Sequence, residues 1–324
     1  MNNATVFITD HAWPDLDIER AVIEGAGLRM VAGPAVPASA DAIAELAREY
    51  QPGAILTCWA PVDAKAVAAS RNLVHVGRIG VGLDNIDVTA CTARGVRVTN
   101  VPDYCVEEVS DHAVGFALAW TRGLVSFDRA VRVGQWNPAD ARLRRLANLT
   151  VGIVGYGRIG RATARKFGAF GCRVLAHNQK PSADAAGADM VSFEALLAAS
   201  DIVVLHVPLT DQTRGLFDQR RIAAMKPGSL LINVSRGGVV ETPAVVDALR
   251  SGHLGGAALD VLDTEPQVPS DLLAQNGAML TPHVAFSSDA SLAELRRRAA
   301  EEAVRMLTGN APNNPCNTLA SDRS

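Results

Sequence analysis

Hydrophobic positions along the chain fall into short apolar runs separated by longer amphipathic stretches. Short apolar runs are typical of buried parallel strands, and apolar residues recurring every three to four positions are typical of helices. In the first hundred residues the predicted strands are Thr5–Thr9, Gly53–Cys58, Leu73–Gly77 and Val96–Thr99. The helices predicted between them are Asp15–Ala26, Asp41–Tyr50, Asp63–Ala69 and Ile86–Ala93. This alternation predicts an open parallel sheet with helices on both of its faces.

A second alternation begins at Leu149 and predicts a second α/β domain. Its predicted strands are Val151–Gly155, Arg173–His177, Ile202–Val207, Leu230–Val234, Gly256–Asp260 and Ala278–Thr281. Two longer helical stretches, Asp103–Trp120 and Ala290–Leu307, flank it and are interpreted as the crossings between the domains. We therefore predict one domain formed by residues 1–101 and 285–324, with a second domain, residues 102–284, inserted into it. The Asn- and Pro-rich segment from Asn310 predicts a mobile tail.

A glycine-rich turn joins the first strand of the inserted domain to a helix-like stretch that follows it. Three glycines between a strand and a helix bring backbone N–H groups to the helix N-terminus, where a pyrophosphate is favoured. The turn therefore predicts a dinucleotide-binding domain, and ligand sites in such sheets lie beyond the carboxyl ends of the strands. With two such domains, the cleft between them is the expected active site. The predicted cofactor-binding residues of this turn are Gly155, Tyr156, Gly157, Arg158, Ile159 and Gly160.

Composition narrows the possible partners and the compartment. The 324 residues are 48 % hydrophobic and 20 % charged, with a formal net charge of −3, which does not favour a nucleic-acid partner. The five cysteines are widely spaced without a CxxC pair, so we expect neither a disulfide framework nor a metal site. No apolar run approaches the length of a membrane span, and the start of the chain does not resemble a signal peptide. A cytoplasmic protein with no membrane partner is predicted.

Polar residues follow several predicted strands of the inserted domain. Arg236, Glu265 and His283 all come shortly after such strands and would converge on one edge of the sheet. A guanidinium binds a carboxylate through two hydrogen bonds, a histidine transfers a proton, and a carboxylate stabilises the protonated histidine. This set suits hydride transfer to a 2-keto acid, although the residues alone do not decide between His283 and His206. The remaining histidines, interpreted as surface or packing residues, are His11, His75, His112, His177 and His253.

Several motifs, taken in order and spacing, resemble the D-2-hydroxyacid dehydrogenase family over nearly the whole chain. They are the glycine turn, Val207-Pro-Leu-Thr210, Asn233-Val-Ser-Arg-Gly-Gly-Val-Val240, Ala258-Leu-Asp-Val261 with Glu265-Pro266, and Thr281-Pro-His283. The resemblance implies a Rossmann domain inserted into a flavodoxin-like substrate domain. It also implies that Arg236 binds substrate, that His283 is the acid/base and that Glu265 supports it. His206 then becomes a cofactor-side or packing residue.

The first domain carries a loop that resembles the family's substrate loop. In Val76-Gly-Arg78-Ile-Gly-Val-Gly82, the N–H groups of Val81 and Gly82 would take the substrate carboxylate. The context of Arg78 is similar to the branch related to C-terminal-binding proteins. Arg78 is either a second cation for the substrate or a member of an ion pair within its own domain. The resemblance further implies a homodimer formed through the nucleotide domain, around Phe116–Phe127 with Trp120.

One departure from the family pattern concerns the cofactor. The second strand of a NAD-type fingerprint ends in an acidic residue that binds the ribose hydroxyls, but Asn178 stands there, with Lys180 close by. The missing carboxylate removes a source of repulsion toward a 2′-phosphate, so NADP(H) is favoured over NAD(H), although Asn178 would still bond a plain ribose. The other residues expected on the cofactor side are Val207, Pro208, Thr213, Val234, Ser235 and Asp260.

The sequence therefore predicts an NAD(P)-dependent enzyme that moves a hydride between its cofactor and a small 2-keto or D-2-hydroxy acid. Two alternatives remain. One is a non-catalytic, dinucleotide-sensing co-regulator, against which the complete Arg, Glu and His set argues. The other is a reductase of an unusual anionic keto acid, such as a phosphonate or a dicarboxylate, for which Arg78 would supply a second contact.

Overall fold

Two parallel sheets organise the chain, and each belongs to its own compact unit. The computed structural model describes residues 4–11, 13–179 and 187–323. Unit 1 comprises Met1–Tyr104 and Ser288–Ser324, and unit 2 comprises Cys105–Ser287. Each division of the chain falls three residues beyond the predicted one, so that a contiguous unit 2 interrupts the sequence of unit 1.

Unit 1 contains a five-stranded sheet in which all registered neighbours are parallel. Its strand order, β2-β1-β3-β4-β5, is the flavodoxin-like order 2-1-3-4-5, which confirms the predicted class of this unit. The elements of its first segment are β1 (Thr5–Ile8), α1 (Asp17–Gly25), β2 (Arg29–Ala32), α2 (Ala40–Tyr50), β3 (Ala54–Thr57), α3 (Ala64–Ala69), β4 (His75–Arg78), α4 (Val88–Ala93) and β5 (Arg97–Thr99).

Local chemistry explains most of these boundaries. The carboxylate of Asp63 accepts a hydrogen bond from the Ala66 N–H and starts α3, and Asp87 does the same for α4 through Ala90. Strands β1 and β3 are fully buried, as their apolar runs predict. The sequence-based prediction missed β2, because this four-residue edge strand begins with an exposed arginine and buries only Met30.

Unit 2 contains a seven-stranded parallel sheet in the order β12-β11-β10-β9-β6-β7-β8. Read from β8 to β12, with β6 before the glycine turn counted as strand 1, this order is 3-2-1-4-5-6-7. It is the Rossmann order with one further strand, and it confirms the predicted dinucleotide-binding fold. Its elements are α5 (Val106–Thr121), α6 (Leu124–Arg132), β6 (Thr150–Val154), α7 (Arg158–Ala169), β7 (Arg173–His177), β8 (Asp189–Met190), α8 (Phe193–Ala199), β9 (Ile202–Leu205), α9 (Gln219–Ala223), β10 (Ser229–Asn233), α10 (Thr242–Arg250), β11 (Leu254–Leu259), α11 (Ser270–Leu273) and β12 (Ala278–Leu280).

The central strands of unit 2 are buried on both faces. Every residue of β9 and of β10 is buried, which explains why their sequences are almost continuously apolar rather than alternating. Helices α8, α9 and α10 supply buried residues to the apolar core beside these strands. Because β10, β11 and β12 are parallel, their carboxyl ends lie at the same edge of the sheet. Arg236, Glu265 and His283 follow these ends.

The C-terminal segment of unit 1 is ordered, so the predicted mobile tail was wrong. Helix α12 (Asp289–Leu307) packs on α1, β3 and β4. After it, the buried Glu302 carboxylate accepts hydrogen bonds from the N–H groups of Asn313 and Asn314. The Cys316 N–H then donates to Val98 of β5, and Asp322 pairs with Arg97. Asparagine and proline are typical of loops, but here they terminate a helix and let the chain lie along an edge strand.

Within the described ranges, no helix is both long and apolar enough to cross a membrane. The same residues contain no cluster of three or more His, Cys, Asp or Glu side chains placed to hold a metal ion. All five cysteines are free thiols, and four of them are buried.

Candidate active site

The glycine turn after β6 has the geometry of a phosphate-binding loop. Gly155 adopts a φ of +99°, which favours glycine, and this tight turn lies against the backbone of His206. Gly160 packs so closely on Gly155 that a Cβ there would overlap its carbonyl oxygen. Gly157, the N-cap of α7, is exposed, and a Cβ added there would meet no described atom within 4 Å. The first and third glycines are therefore required by the protein itself, whereas the second leaves room for a ligand at the N-terminus of the helix.

Two alanine substitutions separate these roles. We expect Gly157→Ala to fold with an unchanged melting temperature but to weaken dinucleotide binding by about 10- to 100-fold, since a methyl group displaces the ligand from the helix N–H groups. Gly160→Ala should instead destabilise the protein by about 1–3 kcal/mol through overpacking. Calorimetric unfolding and cofactor titration measure the two effects. An equal loss of stability in both variants would contradict the assigned geometry.

Asn178, at the end of β7, bonds to the glycine turn itself. Its Oδ1 accepts a hydrogen bond from the Tyr156 N–H at 2.6 Å, and its Nδ2 lies 3.4 Å from the Tyr156 carbonyl oxygen. The Tyr156 ring is fully buried, and the Arg161 guanidinium lies 5.9 Å from its centroid. The amide that sequence analysis assigned to the cofactor ribose therefore also fixes the loop. Arg158 is exposed at the start of α7, Ile159 is half-buried behind it, and Lys180 lies outside the described residues.

The segment after β9 forms a second loop beside the glycine turn. Thr213 closes it by donating to the Pro208 carbonyl and accepting from the Thr210 N–H, and this leaves Pro208 exposed and Val207 half-buried. His206 has its Nε2 2.9 Å from the Thr163 hydroxyl, and burial lowers its pKa to about 3. A histidine that stays neutral at working pH is a poor proton donor, so this geometry favours His283 for that role.

Arg236 lies on a loop that a buried asparagine shapes. The Asn233 side chain, fully buried at the end of β10, accepts from the Ser235 N–H and hydroxyl and donates to the Arg236 carbonyl. Val234 is buried between them, and Ser235 is half-buried. At Gly237 an added Cβ would overlap the backbone of Leu262, so the loops that carry Arg236 and Glu265 are packed backbone to backbone.

His283 and Glu265 form a hydrogen-bonded pair. His283 Nδ1 lies 2.8 Å from Glu265 Oε2, and Glu265 Oε1 accepts from the Leu262 N–H at 2.7 Å. Burial of Glu265 acts to raise its pKa, but the hydrogen bond and charge of His283, the Leu262 N–H and the charge of Arg236 together lower it. The carboxylate therefore stays ionised and orients the imidazole through Nδ1.

Asp260, which directly follows β11, is 2 % exposed and binds the loop that carries His283. Its Oδ1 accepts from the Val284 N–H and the Thr281 hydroxyl, and its Oδ2 accepts from the Ala285 N–H. From the sequence, Asp260 was expected on the cofactor side. In the structure its carboxylate oxygens hold the backbone around His283.

In unit 1 the predicted substrate loop follows β4. Arg78 is 5 % exposed, donates to the carbonyls of Thr57 and Ile79, and lies 5.5 Å from the Trp59 ring centroid. Among the described residues no carboxylate lies within ion-pair distance of Arg78, and its Nε has no partner. The ion pair considered for Arg78 within its own domain is therefore absent from the described structure. The Val81 carbonyl accepts from Asn100, and both Val81 and Gly82 are half-buried.

Three residues of this arrangement, Asn233, Thr281 and His112, were given no role from the sequence. Asn233 is the last residue of β10 and Thr281 directly follows β12, and the carboxyl end of a strand is where a parallel sheet presents side chains to a ligand. That position is a usable signal. His112 carries no such signal, because its partner Thr281 lies 169 positions away in the chain.

A Rossmann unit with an open glycine turn, and with an arginine, a glutamate and a histidine that follow strands at the same edge of its sheet, defines a dinucleotide-dependent oxidoreductase class. The chain belongs to the D-isomer specific 2-hydroxyacid dehydrogenase family, whose NAD-binding-domain model matches residues 114–285. It is 40 % identical over 241 residues to a D-3-phosphoglycerate dehydrogenase of Mycobacterium leprae, covering 74 % of this chain and 45 % of that protein. It is 35 % identical over 266 residues to a glyoxylate reductase of Thermococcus litoralis, covering 79 % and 80 %.

A solved structure of a related enzyme has a similar fold. An NADPH-dependent glyoxylate/hydroxypyruvate reductase from Sinorhizobium meliloti, in complex with NADP and malonate, superposes with a TM-score of 0.84 at 29 % identity, covering 97 % of each chain. The chain spans about half the length of the phosphoglycerate dehydrogenases that it matches, 45 % for the protein from Mycobacterium leprae and 49 % for that from Archaeoglobus fulgidus.

Proposed function

We propose that this protein reduces small 2-keto acids to D-2-hydroxy acids with a nicotinamide cofactor. The observation that carries the proposal is the His283–Glu265 pair, 2.8 Å between Nδ1 and Oε2, with the Glu265 loop packed against the loop that carries Arg236. All three residues follow strands at the carboxyl edge of the same sheet. A dinucleotide sensor needs the glycine turn but has no use for this acid/base pair.

The residues divide the chemistry as follows. A bound reduced nicotinamide supplies the hydride that adds to the carbonyl carbon. Arg236 binds the substrate carboxylate and polarises the carbonyl, because a guanidinium makes two parallel hydrogen bonds. His283 donates the proton at Nε2 to the carbonyl oxygen, while Glu265 accepts from Nδ1 and stabilises the imidazolium. Within unit 1, the N–H groups of Val81 and Gly82 remain the proposed donors to a substrate carboxylate.

The test is a panel of 2-keto acids assayed with NADH and with NADPH, with the configuration of each product determined by chiral chromatography. Turnover that yields the D-hydroxy acid supports the proposal. Tight cofactor binding without turnover of any keto acid would favour the non-catalytic sensor instead. An L-configured product would contradict the proposed D-specificity, because the face of the carbonyl that receives the hydride sets the configuration of the product.

A second candidate is a reductase of keto acids that carry a second anionic group. It is favoured by Arg78, a buried guanidinium without a carboxylate partner in the described part of the chain. A buried cation without a counter-ion is costly, and a second carboxylate, phosphate or phosphonate on the substrate would neutralise it. The panel therefore includes dicarboxylic and phosphorylated keto acids beside uncharged-side-chain homologues of the same length. A kcat/KM at least tenfold higher for the doubly charged members would identify this class.

We further propose that NADP(H) is the preferred cofactor. Position 178 offers an amide in place of a carboxylate, and that amide already bonds Tyr156 of the glycine turn. The solved reductase from Sinorhizobium meliloti is described as NADPH-dependent, which agrees with this preference. Lys180 is a second candidate contact for the 2′-phosphate. Comparable kcat/KM values for the two cofactors, or a strong preference for NADH, would contradict the proposal.

Asn178→Asp tests the cause of this preference. A new carboxylate repels a 2′-phosphate, so KM for NADPH should rise by about tenfold, which corresponds to about 1.4 kcal/mol. KM for NADH should change much less, because a plain ribose tolerates the carboxylate. Steady-state kinetics with both cofactors make the distinction. An equal rise for NADH would show that the variant disturbs the glycine turn rather than cofactor selection.

We also propose a homodimer in a reducing, cytoplasmic setting. We place the interface further along the chain than Phe116 and Trp120. Phe116 is buried, and the Trp120 indole donates to the Gly255 carbonyl within the same unit. Helix α6 buries none of its residues, and it begins a stretch of exposed large apolar side chains, namely Leu124, Val131, Val133, Trp136 and Leu143. Such a stretch fits an interface between copies. Analytical ultracentrifugation at micromolar concentration tests it, and a monomer would contradict it.

A further inference from the structure

A polar chain within unit 2 connects helix α5 to the loop that carries His283. It runs from His112 of α5 through the Thr281 hydroxyl to the carboxylate of Asp260. We propose that His112 and Thr281 are positioning residues that act through Asp260 to hold His283 in its working orientation. The inference deepens the proposed function and rests on it.

Asp260 holds the backbone on both sides of His283. The Val284 and Ala285 N–H groups each donate to its carboxylate at 2.9 Å, and the His283 N–H donates to the Asp260 main-chain carbonyl at 2.8 Å. The Thr281 hydroxyl contacts the same carboxylate at 2.5 Å, which is within the range of short, charge-assisted bonds. One nearly inaccessible side chain therefore fixes the residues before and after the proposed acid.

His283 needs this support because of its backbone conformation. It has a φ of +53°, one of two described non-glycine residues with a positive φ. Side chains with a Cβ rarely adopt this region, and such conformations persist where the surroundings over-determine them. Without the bonds to Asp260 we expect the loop to relax and to turn the imidazole away from Glu265.

The number of hydrogens that each group carries fixes the direction of the hydrogen bonds from His112 through Thr281 to Asp260. A carboxylate oxygen only accepts, so the single hydroxyl hydrogen of Thr281 goes to Asp260. Thr281 Oγ1 must then accept from His112 Nε2, which lies 3.0 Å away. Partial burial lowers the pKa of His112 despite the opposing attraction of Asp260, so this ring is neutral with its hydrogen on Nε2. The edge-to-face contact between His112 and Phe116, with centroids 4.6 Å apart, keeps the ring in place.

Four variants test the chain without altering Asp260, whose proposed cofactor contact would confuse the result. Thr281→Val removes the hydroxyl and keeps the shape, and Thr281→Ser keeps the hydroxyl. His112→Leu removes the donor, and His112→Gln retains an N–H at a similar reach. We expect the valine and leucine variants to lose about 10- to 100-fold in kcat, with keto-acid and cofactor KM within about twofold, because misplacing a reacting group slows the chemical step. The serine and glutamine variants should retain most of the activity.

Two double variants make the inference separable from the proposed function. Thr281→Val combined with His112→Leu should lose no more than the larger single loss, because both act through one chain. Thr281→Val in a His283→Ala background should cause little further loss. If His283→Ala itself retains activity, the proposed function fails. If His283→Ala is impaired while the valine and leucine variants keep wild-type kcat, or if the valine effect persists at full size without His283, the positioning role fails. Circular dichroism and thermal unfolding on every variant identify a loss that comes from misfolding.

Discussion

His283→Ala is expected to lower kcat for keto-acid reduction by about 10²- to 10⁴-fold, the range that general acid catalysis contributes. The reason is geometric, since Glu265 orients the imidazole at 2.8 Å and the imidazole is the proposed proton donor. Dinucleotide affinity should remain within about twofold of wild type, because the glycine turn is untouched. Steady-state kinetics give kcat, and cofactor fluorescence titration gives the dissociation constant.

His253→Ala is the matched control for this prediction. His253 lies in the same unit but directly precedes β11, at the opposite end of that strand from Asp260, and its Nε2 makes a hydrogen bond of 3.0 Å with the Ile222 carbonyl. Its loss should leave kcat nearly unchanged and cost at most a small amount of stability. A near-normal rate for His283→Ala would remove His283 from the mechanism.

Arg236→Gln is expected to reduce kcat/KM for keto acids by about 10²- to 10³-fold. The estimate follows from losing a charge-assisted, two-point contact to the substrate carboxylate, worth about 3–4 kcal/mol. Arg236→Lys should recover only part of this loss, because an ammonium keeps the charge but not the planar pair of donors. Most of the effect should appear in KM if the contact is equal in ground and transition states, and in kcat if it strengthens as the carbonyl is polarised.

The control for Arg236 is Arg250→Gln, which removes the same charge from an exposed arginine on α10 paired with Asp247. Both variants change the net charge equally, so a general electrostatic effect on substrate approach would appear in both. A fall in kcat/KM confined to Arg236→Gln supports direct binding. Equal falls in the two variants would contradict it.

The sequence predicted most strands because buried parallel strands are coded locally, by short apolar runs such as the one in β9. It missed β2 and β8, which are edge strands where polar residues are permitted, and it misjudged the tail, whose order depends on contacts with β5 that are distant in sequence. The placement of Arg236, Glu265 and His283 after strands was readable from the same local pattern. The hydrogen-bond partners of Asn178 and Asp260 could not be predicted, because a residue type defines the chemistry of a side chain but not which of its possible partners it contacts.

The split arrangement of unit 1 has a consequence for the order in which the chain is completed during synthesis. Unit 2 is contiguous, Cys105–Ser287, so all of its strands are available before α12 has been made. Unit 1 must wait for α12 to cover α1, β3 and β4, and for Cys316 and Asp322 to reach β5. Domains generally fold as units while the chain emerges. The inserted unit can therefore complete its fold first. The sheet formed by the first hundred residues stays uncovered until α12 and the residues after it have been made.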